Sequence, residues 1–137
     1  MSGEPVSISR AAPEPWQPTP QESASGSDGV VNLSGLAESL LAQARADARG
    51  TASTVVVRGP HQRAVLIALT QTAGLAEHNS PPAATLHCLL GRVRLHAGEL
   101  EWIASAGHLV TIPEHRHAVD ALEDSVFLLT VTPPART

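Results

Sequence analysis

The chain has 137 residues, with 13 acidic against nine basic side chains, and the basic ones are arginines scattered singly from Arg10 to Arg136. That is one domain's worth of chain, long enough to bury a real core, and its thin, mildly acidic charge excludes a phosphate-tracking surface. Trp16, Trp102 and Phe127 are the only aromatics, too few for the stacking platforms of a nucleic-acid binder, so no nucleic acid is expected as a partner.

In chain order, residues 1–30 are rich in Pro, Ser, Glu and Gly, with Pro13, Pro15, Pro18 and Pro20 closely spaced. Such a segment buries too little apolar surface to fold and reads as a disordered tail, Trp16 included. Over 31–50 the pattern changes. Leu33, Leu36, Ala37, Leu40, Leu41, Ala44 and Ala48 recur at three and four residues, the stripe of an amphipathic helix. Asn32 or Ser34 can cap its start, Gly50 can supply a left-handed residue after its end, and Arg45 and Arg49 suit the C-terminal dipole. The stripe predicts packing on a sheet or on a second copy of the chain.

From residue 51 to 133 the period falls to two. The predicted strands are Thr54 to Arg58, Ala64 to Thr70, Thr85 to Leu90, Arg92 to Ala97, Leu100 to Ile103, Leu109 to Ile112, His117 to Leu122 and Val126 to Val131. Breaks fall at Gly59-Pro60, Pro81-Pro82, Gly98, Gly107 and Pro113, where Gly or Pro interrupts a ladder. Eight short strands with no helix among them predict an all-β antiparallel structure of jelly-roll type. Within it Val93, Leu95 and Ala97 should face one side and Arg92, Arg94 and His96 the other. The single cysteine, Cys88, lies in the apolar run Thr85 to Leu90 and reads as a buried small hydrophobe in a reducing, cytoplasmic setting. No apolar segment is long enough to span a bilayer, so no membrane is expected as a partner.

Two segments carry the functional signal: Gly74-Leu-Ala-Glu-His78 through Gly91, and Gly107 through Pro113 to His117. Each glycine reads as a turn and each histidine as the beginning of a strand, so that His78 and His117 face each other inside a small β-barrel. This pattern resembles the cupin family over Val55 to Val131. Gly74, His78, Ser80, Ala84 and Gly91 match the positions of its first motif, a glycine, a His-x-His pair, a glutamate and a glycine. Gly107, Pro113 and His117 match its second, with the Pro-to-His spacing one residue short and its glycine missing. The resemblance implies a cupin-type barrel, a double-stranded β-helix preceded here by one α-helix.

In metal-binding cupins the four ligand positions hold a divalent transition metal such as Fe, Mn, Ni or Zn. Here Ser80 and Ala84 stand at two of the four, and two imidazoles are fewer than the three protein ligands such an ion usually takes. Alternation turns His87 away from the interior if position 84 faces it. His115, two residues before His117, is a further candidate ligand. Glu77 should point outward. His61, His96 and His108 read as surface residues, and Asp120, Glu123 and Asp124 as a solvated turn. No phosphate loop, nucleophile elbow or paired-cysteine motif is present.

Three functions follow as expectations. The first is a binding module holding a small molecule between His78 and His117. The alternative is a metal-dependent enzyme of dioxygenase or isomerase type, with His78, His117 and His115 or His87 on the ion; fold alone does not carry it. The third is an assembly role, a homodimer formed through the helix and the outer face of the sheet.

Overall fold

The computed structural model describes residues 29–78 and 81–133, with the backbone alone for Glu77 and His78. The expected disordered tail, apart from its last two residues, lies outside the described residues. The helix, α1, spans Leu33–Ala46. Of the two candidate caps Asn32 is used: its side-chain oxygen accepts from the Gly35 N–H at 3.1 Å, satisfying one of the orphan donors of the first turn. The buried face is Ala37, Leu40, Leu41 and Ala44, the three-and-four spacing of the sequence.

The helix ends earlier than Gly50 implied. Asp47 is extended and its N–H reaches the Ala44 carbonyl, while its carboxylate accepts from the N–H groups of Arg49 and Thr51. Gly50, at φ 74, closes the following turn instead, with its N–H on the Asp47 carbonyl at 3.0 Å. A Cβ there would overlap the Thr70 hydroxyl, so only glycine suits the site.

Among the described residues nine strands follow: β1 Thr51–Arg58, β2 Arg63–Leu69, β3 Gly74–His78, β4 Ala84–Leu90, β5 Arg92–Ala97, β6 Leu100–Ser105, β7 Leu109–Thr111, β8 His117–Ala121 and β9 Ser125–Val131. They form two antiparallel sheets, β1-β2-β9-β4-β7 and β3-β8-β5-β6. Eight of the nine were legible as strands. The ninth, β3, corrects the reading of Gly74 as a turn and of His78 as a strand start: Gly74 opens the strand and His78 is its last residue. The reason is close approach. Gly74 lies opposite Asp120, and a Cβ on it would sit 2.8 Å from both Asp120 Oδ1 and the Val119 carbonyl.

Two apolar layers hold the fold. Between the sheets lie Ile67, Leu69, Leu86, Cys88, Val93, Leu95, Val119 and Phe127. Between α1 and the outer face of the five-stranded sheet lie Leu40, Leu41, Val56, Leu66 and Val126. Burying Leu40 and Leu41 contributes about 1.5–3 kcal/mol each. Because the helix spends its stripe on its own sheet, that stripe is not available as a dimer surface.

The connections distinguish the two ends of the sandwich. At one end β2 turns into β3, β4 into β5 through Gly91, and β8 into β9; this is the closed end. At the other, the open end, β2, β4 and β8 begin and β3, β5 and β9 finish.

Candidate functional site

His117 begins β8 at the open end and is 2 % exposed. It shares the parity of Val119 and Ala121, both in the core between the sheets, so its position is inward. Its Nδ1 lies 3.0 Å from the His115 carbonyl oxygen. A carbonyl only accepts, so Nδ1 carries the proton and, in the neutral imidazole, Nε2 is the acceptor nitrogen.

The register brings the second candidate to the same row: His78 is the residue opposite His117 on the neighbouring strand. Simple alternation from Leu75, which opposes core Val119, would have put Glu77 there instead. A bulge between Leu75 and His78 shifts the pairing by one residue, a device that re-aims a strand at its end.

The remaining candidates are distributed otherwise. Ala84, at a matched ligand position, is buried in the core and offers no donor. Ser80 lies outside the described residues. His87 alternates with buried Ala84, Leu86 and Cys88, so its position is on the outer face, as parity required. His115 is exposed on the loop before β8 and takes part through its backbone carbonyl. Among the described residues no three His, Cys, Asp or Glu side chains converge on a point that could hold a metal. Cys88 is buried, its S–H directed at the Leu90 carbonyl, and burial pushes the thiol up to about 11; it is a packing residue.

The interior near His117 is apolar but not sealed. Val65, Leu75, Trp102, Val110, Leu129 and Val131 are only partly buried where they pack on the core. On the five-stranded sheet, the inward row at the open end runs Arg58, Arg63, Val131 and Ala84, each directly opposite the next. Every later inward residue of β2 is aliphatic: Val65, Ile67 and Leu69. Arg63 therefore breaks the pattern at the mouth, and the reading of the sequence missed it. Its signal was available as a charged residue in phase with an apolar alternation. Both arginines are exposed and neither forms an ion pair among the described residues.

Elsewhere the polar groups serve the fold. On the outer face of the four-stranded sheet Arg94 donates to Asp120 at 2.7 Å, which raises the guanidinium pKa further. His96 Nε2 lies 3.0 Å from the same carboxylate, out of hydrogen-bonding alignment. The acidic group at the end of β8 is not merely a solvated turn. Asp124 accepts from the Gln71 N–H at 2.8 Å and from Arg45 at 3.0 Å, which hold its carboxyl below the usual range and tie the β2–β3 turn to the helix. A polar cavity of about 270 Å³ opens nearby, lined by Arg45, Asp47, Arg49 and Thr72 among others. It is at the closed end, away from His117, and its arginines are offset by Asp47 and Asp124.

No protein-family model matches the chain, and no curated protein matches its sequence. Solved structures do match. A cupin-2 domain-containing protein from Shewanella frigidimarina NCIMB 400 superposes with a TM-score of 0.60 at 14 % identity, covering 77 % of this chain and 96 % of its own. A conserved protein of unknown function from Streptococcus pyogenes, SPY1581, gives 0.59 at 21 % identity over 66 % and 80 % of the two chains. A cupin superfamily protein from Desulfitobacterium hafniense DCB-2 gives 0.57 at 12 % identity over 61 % and 78 %. At such identities the likeness speaks to architecture: the chain has the cupin fold, an antiparallel double sheet preceded, among the described residues, by one helix.

Proposed function

We propose that this protein is a binding module that holds a small organic molecule in the barrel interior at the open end, between His78 and His117. The observation that carries the proposal is His117: a buried imidazole, oriented by the His115 carbonyl so that Nε2 accepts, at the end of an otherwise apolar interior. Apolar walls with one or two oriented polar groups are the usual make-up of a small-molecule site. Leu75, Trp102, Leu129 and Val131 would take the body of the ligand, and the imidazole would fix one polar group on it.

A metal-dependent enzyme of dioxygenase or isomerase type, using His78, His117 and His115, has one observation in its favour. An Nδ1–H tied to a carbonyl is the tautomer that metal-ligating histidines use. Against it, Ala84 brings no donor to the matched position and His115 is exposed, with its backbone carbonyl on His117. Elemental analysis of protein purified without chelator or affinity histidines separates the two readings. A binding module shows Fe, Mn, Ni and Zn at background, and His117→Ala loses small-molecule fragments detected by NMR while His78→Ala weakens them. Near-stoichiometric metal that both variants lose overturns it in favour of the enzyme.

The reading includes a homodimer in a reducing, cytoplasmic setting, with the dimer formed by a surface other than the α1 stripe. No helix among the described residues is long and apolar enough to cross a membrane. Light scattering tests the dimer, and a clean monomer removes it.

A further inference from the structure

Arg58 and Arg63 occupy directly opposed positions on β1 and β2, in the inward row at the open end. Like charges directly opposite on an antiparallel pair are destabilising, and among the side chains described no carboxylate pairs with either. Glu99 and Glu114 lie on loops at the same end and pair with neither. The other arginines of the sheets show the contrast, since Arg92 and Arg94 each have an acidic partner. The row also continues through Val131 and Ala84, whose side chains belong to the interior. The two arginines thus occupy strand positions at the rim of the apolar interior, on the sheet that faces the His78–His117 row across a sandwich about 10 Å thick.

We propose that Arg58 and Arg63 form the anion-recognising part of the barrel mouth, and that the ligand is a small organic carboxylate with an apolar body. The inference rests on the interior being the binding site and adds the class of molecule it takes. The carboxylate lies between the two guanidinium forks and neutralises their mutual repulsion. The hydrocarbon body enters between Val65, Leu129 and Trp102, and the His117 side of the mouth receives any further polar group.

The test uses the full chain and a matched pair of probes, hexanoate and hexanamide, with inorganic phosphate as a third, read by NMR titration. Wild type binds hexanoate about tenfold more tightly than hexanamide, and added salt narrows the gap. Arg58→Gln/Arg63→Gln brings hexanoate down to the affinity of hexanamide measured on the same variant. The variant melts no lower than wild type, because it removes a repulsion; a lower melting temperature would mean the arginines serve the fold, against the proposal. Equal binding of acid and amide in wild type overturns the anion assignment and leaves the barrel site standing. Phosphate binding more tightly than hexanoate overturns the carboxylate with its apolar body. Failure of all three probes overturns the assignment together with the binding reading beneath it.

Discussion

The two ends of the sandwich are built from the same strands with the same alternation, yet they are finished differently. At the closed end Leu69, Cys88, Val93, Phe127 and Ser125 are fully buried. The Ser125 hydroxyl joins the ends of the sheets: it accepts from the Arg92 N–H at 2.9 Å and lies within donating distance of the Glu123 and Arg92 carbonyls. Gly91, at φ 78, lets the β4–β5 turn lie against Asp124 and Ser125. At the open end the same inward rows finish in His117, in two arginines that form no ion pair among the described residues, and in aliphatic side chains that remain partly exposed. Stability is concentrated where the rows are filled and paired, and the proposed recognition uses the end where they are left incomplete. Mutations should therefore separate by end into those that cost folding and those that cost binding.

The largest effect is expected at Phe127, the largest fully buried side chain of the core. Phe127→Ala should destabilise by about 3–5 kcal/mol in denaturant unfolding, through lost transfer energy and the cavity left behind. Gly91→Ala comes next, at about 2–3 kcal/mol. It forces a Cβ into the Asp124 carbonyl and Ser125 side chain and a side-chain residue into the left-handed region. His117→Ala reverses the balance: unfolding should show a loss of only about 1–2 kcal/mol, while small-molecule binding disappears. If His117→Ala costs as much as Phe127→Ala, the open end is a second core and the division fails.

The smallest effect is at Asp124, a surface tie of the closed end. Asp124→Asn should cost under about 1 kcal/mol at neutral pH, since its partner Arg45 is solvated. The Gln71 N–H and Arg45 lower its folded-state pKa, so between the folded and unfolded values the unfolded chain binds more protons and stability rises with pH. The gap between wild type and Asp124→Asn should therefore be full at pH 7, shrink below about pH 5, and vanish once the folded-state carboxyl is protonated. Thermal melts across that range check it, and a gap that persists at low pH would assign the tie to something other than charge.

What the sequence determined by itself is whatever depends on near neighbours along the chain. The three-and-four spacing from Leu33 to Ala44 specified α1 and its buried face. The alternations of Thr85 to Leu90 and Arg92 to Ala97 specified which residues enter the core and turned His87 outward. The Gly, Pro and His positions of the two motifs were enough to point to the cupin fold. The rest depends on register between strands distant in sequence. The strand Gly74–His78 has no β-branched residue to announce it and forms because β8 offers it a ladder that glycine alone can approach. The bulge that sets His78 rather than Glu77 opposite His117 leaves no mark in local periodicity. Arg58 and Arg63 become opposed across a hairpin, at the mouth and on the sheet that faces the histidine row, only when two sheets close over one interior; a period of two assigns each residue a face, and pairing decides what that face meets.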